Sequence, residues 1–333
     1  MRASSIDILK CFLCTLDGEL SEAVCSEVKL SPEDDLYTYS AQLLASNMGK
    51  PTVSKGQFSM GSWLAGVLPQ NAEGMAQFVP RIAGRVYDAV CHNGAIRPGS
   101  GICIWAVADD QPFIGFFKLN FQRKYMCYLE EDGTVSWHIN SKVLPDSKKK
   151  DYEFFIINVL EQTVELSPVT EVVNGVQTNY LASFVLELQA DRPEKETVKL
   201  FDTAAVETIR ECYQEEEAPQ KILEYKADVA FTVAETGAID TKEVEERIFA
   251  DNEIAAKRYQ EKVAEAELPK APIPVSKPTE RLFQKKQKIV TDTGVELLIP
   301  VEYLQDTHVV AYETADDGSI SIVIKNVRKL ENK

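Results

Sequence analysis

The sequence predicts an α+β protein with N-terminal helices, an antiparallel meander sheet, an acidic helical segment and a small C-terminal β module. Two observations predict this class. Apolar residues recur at helical spacing before residue 100 and again between residues 201 and 268. Between residues 101 and 166, short apolar stretches alternate with turn residues and leave no room for helices. Such closely spaced stretches are typical of antiparallel strands joined by short turns.

The first predicted elements are one strand and two helices. Residues 6–16 form an apolar stretch that a turn pair closes, as at the end of a strand. Ser31, followed by proline and two acids, predicts the start of a helix that reaches about Met48, because serine caps a first turn and acids favour the positive end of the helix dipole. A second helix is predicted over 72–90, which Pro80 would break or kink.

The predicted sheet follows from residue 101 onward. Its strands cover 102–108, 112–119, 125–129, 135–139, 154–159 and 163–166. The first of these is apolar almost throughout, which indicates a strand that is covered on both faces.

The second half of the chain combines helices with short strands. Two apolar stripes predict helices: Phe201, Ala205, Ile209 and Cys212 on the first, and Val244, Ile248, Ala255, Tyr259 and Val263 on the second. Asp240 and Glu243 have the spacing of a capping box for the second stripe. Prolines between 269 and 280 predict an extended linker. Four short strands are predicted over 288–290, 295–299, 309–314 and 319–325.

These patterns predict four regions along the chain. They are an α+β body over 1–200, an acidic helical segment over 201–268, a proline-rich linker over 269–280 and a small β-rich module over 281–333.

Charge is distributed unevenly over these regions. The chain has 36 basic and 52 acidic residues, a formal net charge of −16. Residues 201–268 contain 8 basic and 18 acidic residues, which is −10 of that total. This balance argues against a protein whose whole surface attracts nucleic acid. A local positive patch can still attract nucleic acid, because exposed charges act only over a Debye length of about 8–10 Å.

Cysteine usage and hydropathy indicate the compartment. Seven cysteines in a chain of 333 residues are typical of reduced thiols in a cytosolic protein. No stretch approaches 18 apolar residues, and the N-terminus lacks a basic stretch followed by a long apolar one. We therefore expect a cytoplasmic protein without membrane contact.

Motifs that would indicate catalysis are weak. Cys11 and Cys14 have metal-site spacing, but no second Cys or His pair completes four zinc ligands, and on a strand these two would point to opposite faces. The chain has neither a phosphate-binding glycine loop nor a nucleophile elbow. We predict no metal, no cofactor and no enzymatic activity.

Basic residues form two groups that could contact phosphates. The first lies in the predicted sheet and its loops, and the second in the C-terminal module: Lys118, Arg123, Lys124, Lys142, Lys148, Lys149 and Lys150; then Lys285, Lys286, Lys288, Lys325, Arg328 and Lys329. Phosphate contact needs only a local positive patch. The alternative is a set of solvated lysines that protect a sheet edge from aggregation.

Three segments carry a family resemblance. They are Ile114–Tyr125 (IGFFKLNFQRKY); Val143–Pro145 followed by Glu153–Ile157 (EFFII); and Thr293–Pro300 (TGVELLIP) followed by Asp316–Val327 (DDGSISIVIKNV). In order and spacing they resemble bacterial nucleoid-associated proteins of the NdpA and YejK type, from roughly residue 35 to residue 330.

The resemblance implies a bacterial cytoplasmic protein associated with the nucleoid, with no catalytic residues to carry over. Our first hypothesis is a non-enzymatic DNA-binding protein that contacts phosphates weakly and without sequence preference. The alternative is an interaction module that reaches the nucleoid through a DNA-bound protein, such as a topoisomerase, by means of its acidic helices. An unrecognised enzyme is the third hypothesis. The sequence is also compatible with a homodimer.

Overall fold

The computed structural model describes residues 6–58, 61–146, 149–173, 175–283, 287–300, 303, 306, 308–315 and 320–329. It confirms the α+β class: helices are combined with one large antiparallel sheet and several small ones. The chain divides into two compact units, Met1–Pro193 and Glu194–Lys333. None of the helices in the described part of the chain combines the length and apolar character needed to cross a membrane.

The first unit contains twelve strands among its described residues. They are β1 (Ile6–Leu16), β2 (Cys25–Val28), β3 (Ser54–Gln57), β4 (Gly99–Ala108), β5 (Gln111–Asn120), β6 (Gln122–Leu129), β7 (Val135–Val143), β8 (Tyr152–Asn158), β9 (Thr163–Leu166), β10 (Glu171–Val173), β11 (Val176–Thr178) and β12 (Ala190–Asp191). Its helical elements are α1 (Asp35–Asn47), α2 (Trp63–Val67), a 3-10 turn (Ala72–Gly74), α3 (Met75–Cys91) and a π-helical segment (Leu181–Leu186).

One antiparallel sheet organises this unit, in the order β12-β3-β9-β8-β5-β4-β1-β2. Successive side chains point to opposite faces of a strand, and each face of this sheet has its own core. Phe116 and Phe155 stack on the face that packs with α3, while Phe117 and Leu119 lie in the core that includes α1. The central strands are therefore covered on both faces, as their apolar sequences predict.

The predicted simple meander is wrong in one respect. A simple meander would pair β5 with β6, the next strand along the chain. β5 pairs with β8 instead, and all seven residues of β8 are buried. β6 and β7 pair with each other as a separate two-stranded hairpin. The predicted second helix also differs slightly, since a 3-10 turn precedes α3 and α3 continues through the exposed Pro80.

The second unit begins with four long helical elements. They are α4 (Glu194–Cys212), α5 (Ala218–Thr236), α6 (Thr241–Ile248) and α7 (Glu253–Glu265), followed by the short α8 (Lys277–Phe283). The stripe predicted over Val244–Val263 is divided between α6 and α7. The division has a local cause, because the Asn252 side chain accepts from the Ala255 amide (3.0 Å) and caps a new helix. Asp240 caps α6 by accepting from the Lys242 amide (2.8 Å).

The remaining strands of the second unit are short. They are β13 (Ala238–Ile239), β14 (Ile273–Pro274), β15 (Gln287–Val290), β16 (Glu296–Ile299), β17 (Val310–Thr314) and β18 (Ile320–Ile324). The segment predicted as an extended linker packs into this unit, since Ile273 is buried and pairs with Ile239. Ile299 and Val310 form a small apolar cluster with Ala227 of α5, so these strands pack on the helices.

Candidate nucleic-acid interface

Asp151 holds the base of the β6–β7 hairpin. Its carboxylate accepts hydrogen bonds from Gln122 Nε2 (3.0 Å) and Asn120 Nδ2 (3.3 Å) and forms an ion pair with Arg97. Partial burial raises the pKa of Asp151, but the bonds from Arg97, Gln122 and Asn120 outweigh it and lower the pKa below its usual value. The start of β6 is thereby fixed beside the segment that leads into β8.

Arg97 pairs with this carboxylate, and four further cations are chain neighbours of Gln122 or Asp151. We call these five residues the root patch: Arg97, Arg123, Lys124, Lys149 and Lys150. The last four are exposed, and they form no ion pair with any described residue. Arg97 is 58% exposed although it pairs with Asp151. Because Gln122 and Asp151 are hydrogen-bonded, the chain neighbours of both residues lie at the same end of the hairpin. The patch therefore carries more positive than negative charge.

Lys118 does not belong to this surface, contrary to the prediction. Its side chain is fully buried, with Nζ 2.5 Å from Asn120 Oδ1 and 3.4 Å from Glu153 Oε1. Burial lowers the pKa of Lys118, and the negative charge of Glu153 opposes that effect. Because no phosphate can reach this ammonium, Lys118 is removed from the candidate contacts. The signal lies in the sequence: Lys118 stands between Phe117 and Leu119 in a strand covered on both faces.

The buried lysine belongs to a polar network behind the root patch. Tyr180 donates its hydroxyl hydrogen to Glu153, and burial together with the Glu153 charge raises the pKa of Tyr180. Asn120 donates to both Glu153 (3.3 Å) and Asp151 (3.3 Å). The network therefore connects the core of the sheet to the carboxylate that positions the hairpin.

Lys142 is exposed on β7, but its charge is compensated. Its Nζ lies 2.5 Å from Asp17 Oδ2 and 2.6 Å from Glu19 Oε2. Hydrogen bonds to these two carboxylates raise the pKa of Lys142 above its ordinary value. A cation held by two acids adds little attraction for a phosphate. Its contacts tie the hairpin to the turn that follows β1.

The C-terminal candidates are separate from the root patch, since they belong to the second unit. Lys325, Arg328 and Lys329 are exposed after β18. Lys288 lies on β15, and its side chain is outside the described part of the chain. The other predicted residues that fall outside the described residues are Lys148, Lys285 and Lys286.

The hairpin also carries an apolar surface that the sequence analysis missed. We call it the apolar face: Tyr125, Cys127, Leu129, Val135, Trp137 and Ile139. The register pairs these residues directly across the two strands, and the Tyr125 and Trp137 rings contact each other. All six are exposed. The signal was the apolar alternation in two consecutive segments, which we predicted only as strands of the meander sheet.

The residues of the predicted Cys-x-x-Cys motif are buried and structural. Burial raises the pKa of the Cys11 thiol to about 12, and a contact with Cys25, together with burial, raises that of Cys14. Both thiols are therefore protonated near neutral pH. Across the described residues, no group of three or more His, Cys, Asp or Glu side chains is placed to hold a metal ion.

A cavity of about 370 Å³ lies beside α3. Several polar groups at its wall have partners: Arg85 pairs with Glu187, the Tyr180 hydroxyl donates to Glu153, and His92 Nδ1 lies 2.8 Å from the Asp88 carbonyl oxygen. Arg85 Nε and Asn93 Nδ2, by contrast, are buried without a hydrogen-bond partner among the described residues. This arrangement does not bring together a nucleophile and a base in the way that hydrolytic catalysis requires.

Comparison with known proteins identifies the family. A search of curated proteins found no match. The family model described as nucleoid-associated protein YejK matches residues 17–331, which is nearly the whole chain. The match spans both compact units and includes all three segments on which the sequence resemblance rests. The chain therefore belongs to the family of the nucleoid-associated protein YejK.

Proposed function

We propose that this protein binds duplex DNA directly, through sequence-independent phosphate contacts made by the root patch, and that it has no catalytic activity. The observation that carries the proposal is a group of exposed cations next to the Gln122–Asp151 contact, four of which form no ion pair with a described residue. Membership of a nucleoid-associated family supplies the context in which such a patch meets DNA.

The overall net charge of −16 does not prevent local contact. Residues 201–268 hold −10 of that charge, so the rest of the chain has a net charge of only −6. Exposed charges are screened beyond about 8–10 Å at physiological salt. We therefore expect weak binding, governed by the few cations that reach phosphates.

The chemistry of the patch favours backbone contact over base reading. Lysine ammonium groups are compact point charges, and three of the five cations are lysines. Contacts to phosphate oxygens position a protein on the duplex but carry no sequence information. Affinity should consequently be similar for duplexes of different sequence.

The experiment is a salt titration of duplex binding by fluorescence anisotropy, with A·T-rich and G·C-rich duplexes. The variant is Lys149→Ala with Lys150→Ala. Each lost phosphate contact reduces the slope of log K against log salt by about 0.9, so the double variant should reduce it by about 2, equally for both duplexes. The matched control is Lys29→Ala with Arg81→Ala, which removes two exposed cations outside the root patch and should leave the slope unchanged.

Two results would count against the proposal. If the protein shows no duplex binding at micromolar concentration in 50 mM salt, direct contact is wrong. If binding occurs but Lys149→Ala with Lys150→Ala matches the parent, the contacts lie elsewhere. The exposed Lys325 and Arg328 of the second unit are then the next residues to substitute.

A second candidate function is recruitment through a DNA-bound protein with a basic surface, such as a topoisomerase. The loop between α4 and α5 favours it. Glu215, Glu216 and Glu217 are exposed there, and none of them forms an ion pair with a described Lys, Arg or His. Other acids of these helices are compensated, for example Glu207 and Glu211 by Lys262.

Co-purification after nuclease digestion separates this candidate from direct DNA binding. A partner that remains bound after digestion, and is lost when all three glutamates are changed to glutamine, supports recruitment. A partner that nuclease removes was bridged by DNA, and recruitment through the acidic loop is then wrong.

A further inference from the structure

The apolar face of the β6–β7 hairpin has no covering element among the described residues. Leu129 is 76% exposed, Tyr125 and Trp137 are each 70% exposed, and Val135 is 62% exposed. β6 and β7 pair with no other described strand. The opposite face of the hairpin, by contrast, carries side chains that suit water: Lys124, Met126, Tyr128, Ser136, His138 and Asn140.

The contacts within the polar face support this division. The Ser136 hydroxyl lies 2.9 Å from His138 Nε2, the Tyr128 and His138 rings meet edge to face, and Asn140 Nδ2 lies 3.6 Å from the Met126 sulfur. Ser136, His138 and Asn140 thus have partners within the hairpin, and the Lys124 ammonium is exposed. Within the hairpin, the apolar face has only apolar neighbours on its own surface, and its side chains are otherwise exposed in the described part of the chain.

A two-stranded hairpin with an exposed apolar face needs a partner for stability. A two-stranded hairpin alone is at best marginally stable in water, and contiguous exposed apolar patches mark interaction sites. With about 150–250 Å² for each aromatic side chain, the four aromatic residues of two such faces offer roughly 600–1,000 Å², to which the Leu129, Val135 and Ile139 side chains of both faces add. The total approaches the lower end of the range for specific protein interfaces, which is about 1,200 Å².

The charges at the two ends of the hairpin indicate which partner the apolar face binds. The tip carries Glu130, Glu131 and Asp132, whereas the root carries Arg123 and Lys124. Glu130 and Asp132 are engaged within the hairpin, by Ser136 and by Thr134 respectively. Glu131 and Arg123 have no partner among the described residues. A surface that is basic at one end and acidic at the other is complementary to itself when one copy is reversed.

We infer that the apolar face binds the same face of a second copy of this chain, with the two hairpins antiparallel about a twofold axis. In a twofold interface each contact occurs twice, so Arg123 of each copy lies near Glu131 of the other. This pairing leaves Arg97, Lys124, Lys149 and Lys150 as the root-patch cations available to phosphates. Within one hairpin these two residues are roughly 26 Å apart along the strand, too far to interact. The parallel arrangement would place both acidic tips together and is disfavoured.

The centre of the interface follows from the register. Cys127 and Trp137 form the middle pair of the apolar face. The twofold axis crosses the face at that pair, so each Cys127 faces its own counterpart, and each Trp137 faces the other Trp137. Because the Cys127 thiol is exposed, crosslinking of this residue can test whether the two hairpins meet in this way.

The first test is the mass of the full-length protein in solution without DNA, by light scattering over a concentration series. We expect twice the chain mass of 37.2 kDa. Trp137→Glu should weaken association by about thirtyfold or more, as loss of a central aromatic does. Tyr128→Glu, on the polar face of the same hairpin, should leave the mass unchanged. A monomeric parent, or equal effects of the two variants, overturns the inference.

The second test is a charge exchange, which does not depend on a variant that might fold poorly. Arg123→Glu and Glu131→Lys should each weaken the dimer, and the double variant should restore it, because the pair re-forms across copies with its charges reversed. Lack of restoration overturns the antiparallel arrangement.

The third test uses cysteine crosslinking with a short bismaleimide, in a Cys91→Ser background that removes the other exposed thiol. A crosslinked dimer should form, and Cys127→Ser should abolish it. A dimer by mass that gives no Cys127 crosslink overturns this interface. The inference goes beyond the proposed function and does not rest on it: a dimer that binds no DNA refutes only the proposed function, and a monomer that binds DNA refutes only the inference.

Discussion

Single residues of the same type have very different roles in this protein, and the lysines show this best. Lys118 is buried with Glu153, Lys142 is held by two carboxylates, and Lys149 and Lys150 are exposed without an ion-pair partner among the described residues. Sequence analysis grouped all four as candidate contacts because they lie within 33 positions of one another. Only the fold separates them, since burial and ion pairing depend on residues distant in sequence.

We expect Lys118→Met to lower the free energy of unfolding by about 3–5 kcal/mol, because removal of one partner leaves the other buried charge uncompensated. The folded variant should bind duplex DNA like the parent, since the Lys118 side chain is fully buried. Urea denaturation and anisotropy measure the two effects. Lys118→Met combined with Glu153→Gln should recover part of the lost stability. A stable Lys118→Met variant with weakened DNA binding would contradict this role.

At the scale of elements, the sequence predicted most strands because their apolar patterns are local. β1 was predicted over its observed range, and the four short strands of the C-terminal part were predicted within two residues of their observed ends. Pairing is a long-range property and was harder to predict. The alternation of Tyr125, Cys127 and Leu129 looks like that of a core strand, and nothing in it shows that β5 joins β8 and leaves β6 and β7 outside the sheet.

The packing of α1 on the sheet leads to a prediction at Gly115 of β5. A Cβ at this position would lie 2.9 Å from Phe117 Cε2 and 3.1 Å from Leu44 Cδ2 of α1. Overpacking of this kind costs typically about 1–3 kcal/mol, so Gly115→Ala should lower the melting temperature. The control is Gly84→Ala in α3, where a Cβ meets no atom within 4 Å; it should be neutral or stabilising by up to about 1 kcal/mol. Equal destabilisation by both variants would contradict this account.

At the scale of the whole molecule, charge and candidate contacts are divided between two units that each have a hydrophobic core. The cores on the two faces of the large sheet lie within Met1–Pro193, and the core of α4–α7 lies within Glu194–Lys333. Residues 194–333 contain 20 basic and 29 acidic residues, a net charge of −9. Net charge alone therefore predicts that this unit repels DNA, although it contains the predicted cluster at Lys325 and Arg328.

The two units should consequently differ in DNA binding when each is expressed alone. Because the slope of log K against log salt counts phosphate contacts, residues 1–193 should keep the slope of the full chain. Their affinity should be equal or higher, because the net −9 of the other unit is gone. Residues 194–333 should show no measurable binding in the same anisotropy titration. Circular dichroism melting of each fragment is the control for folding. If residues 194–333 bind DNA and residues 1–193 do not, the phosphate contacts lie in the C-terminal Lys and Arg residues and not in the root patch. A unit with a net negative charge that binds DNA must do so through a local cluster of basic residues.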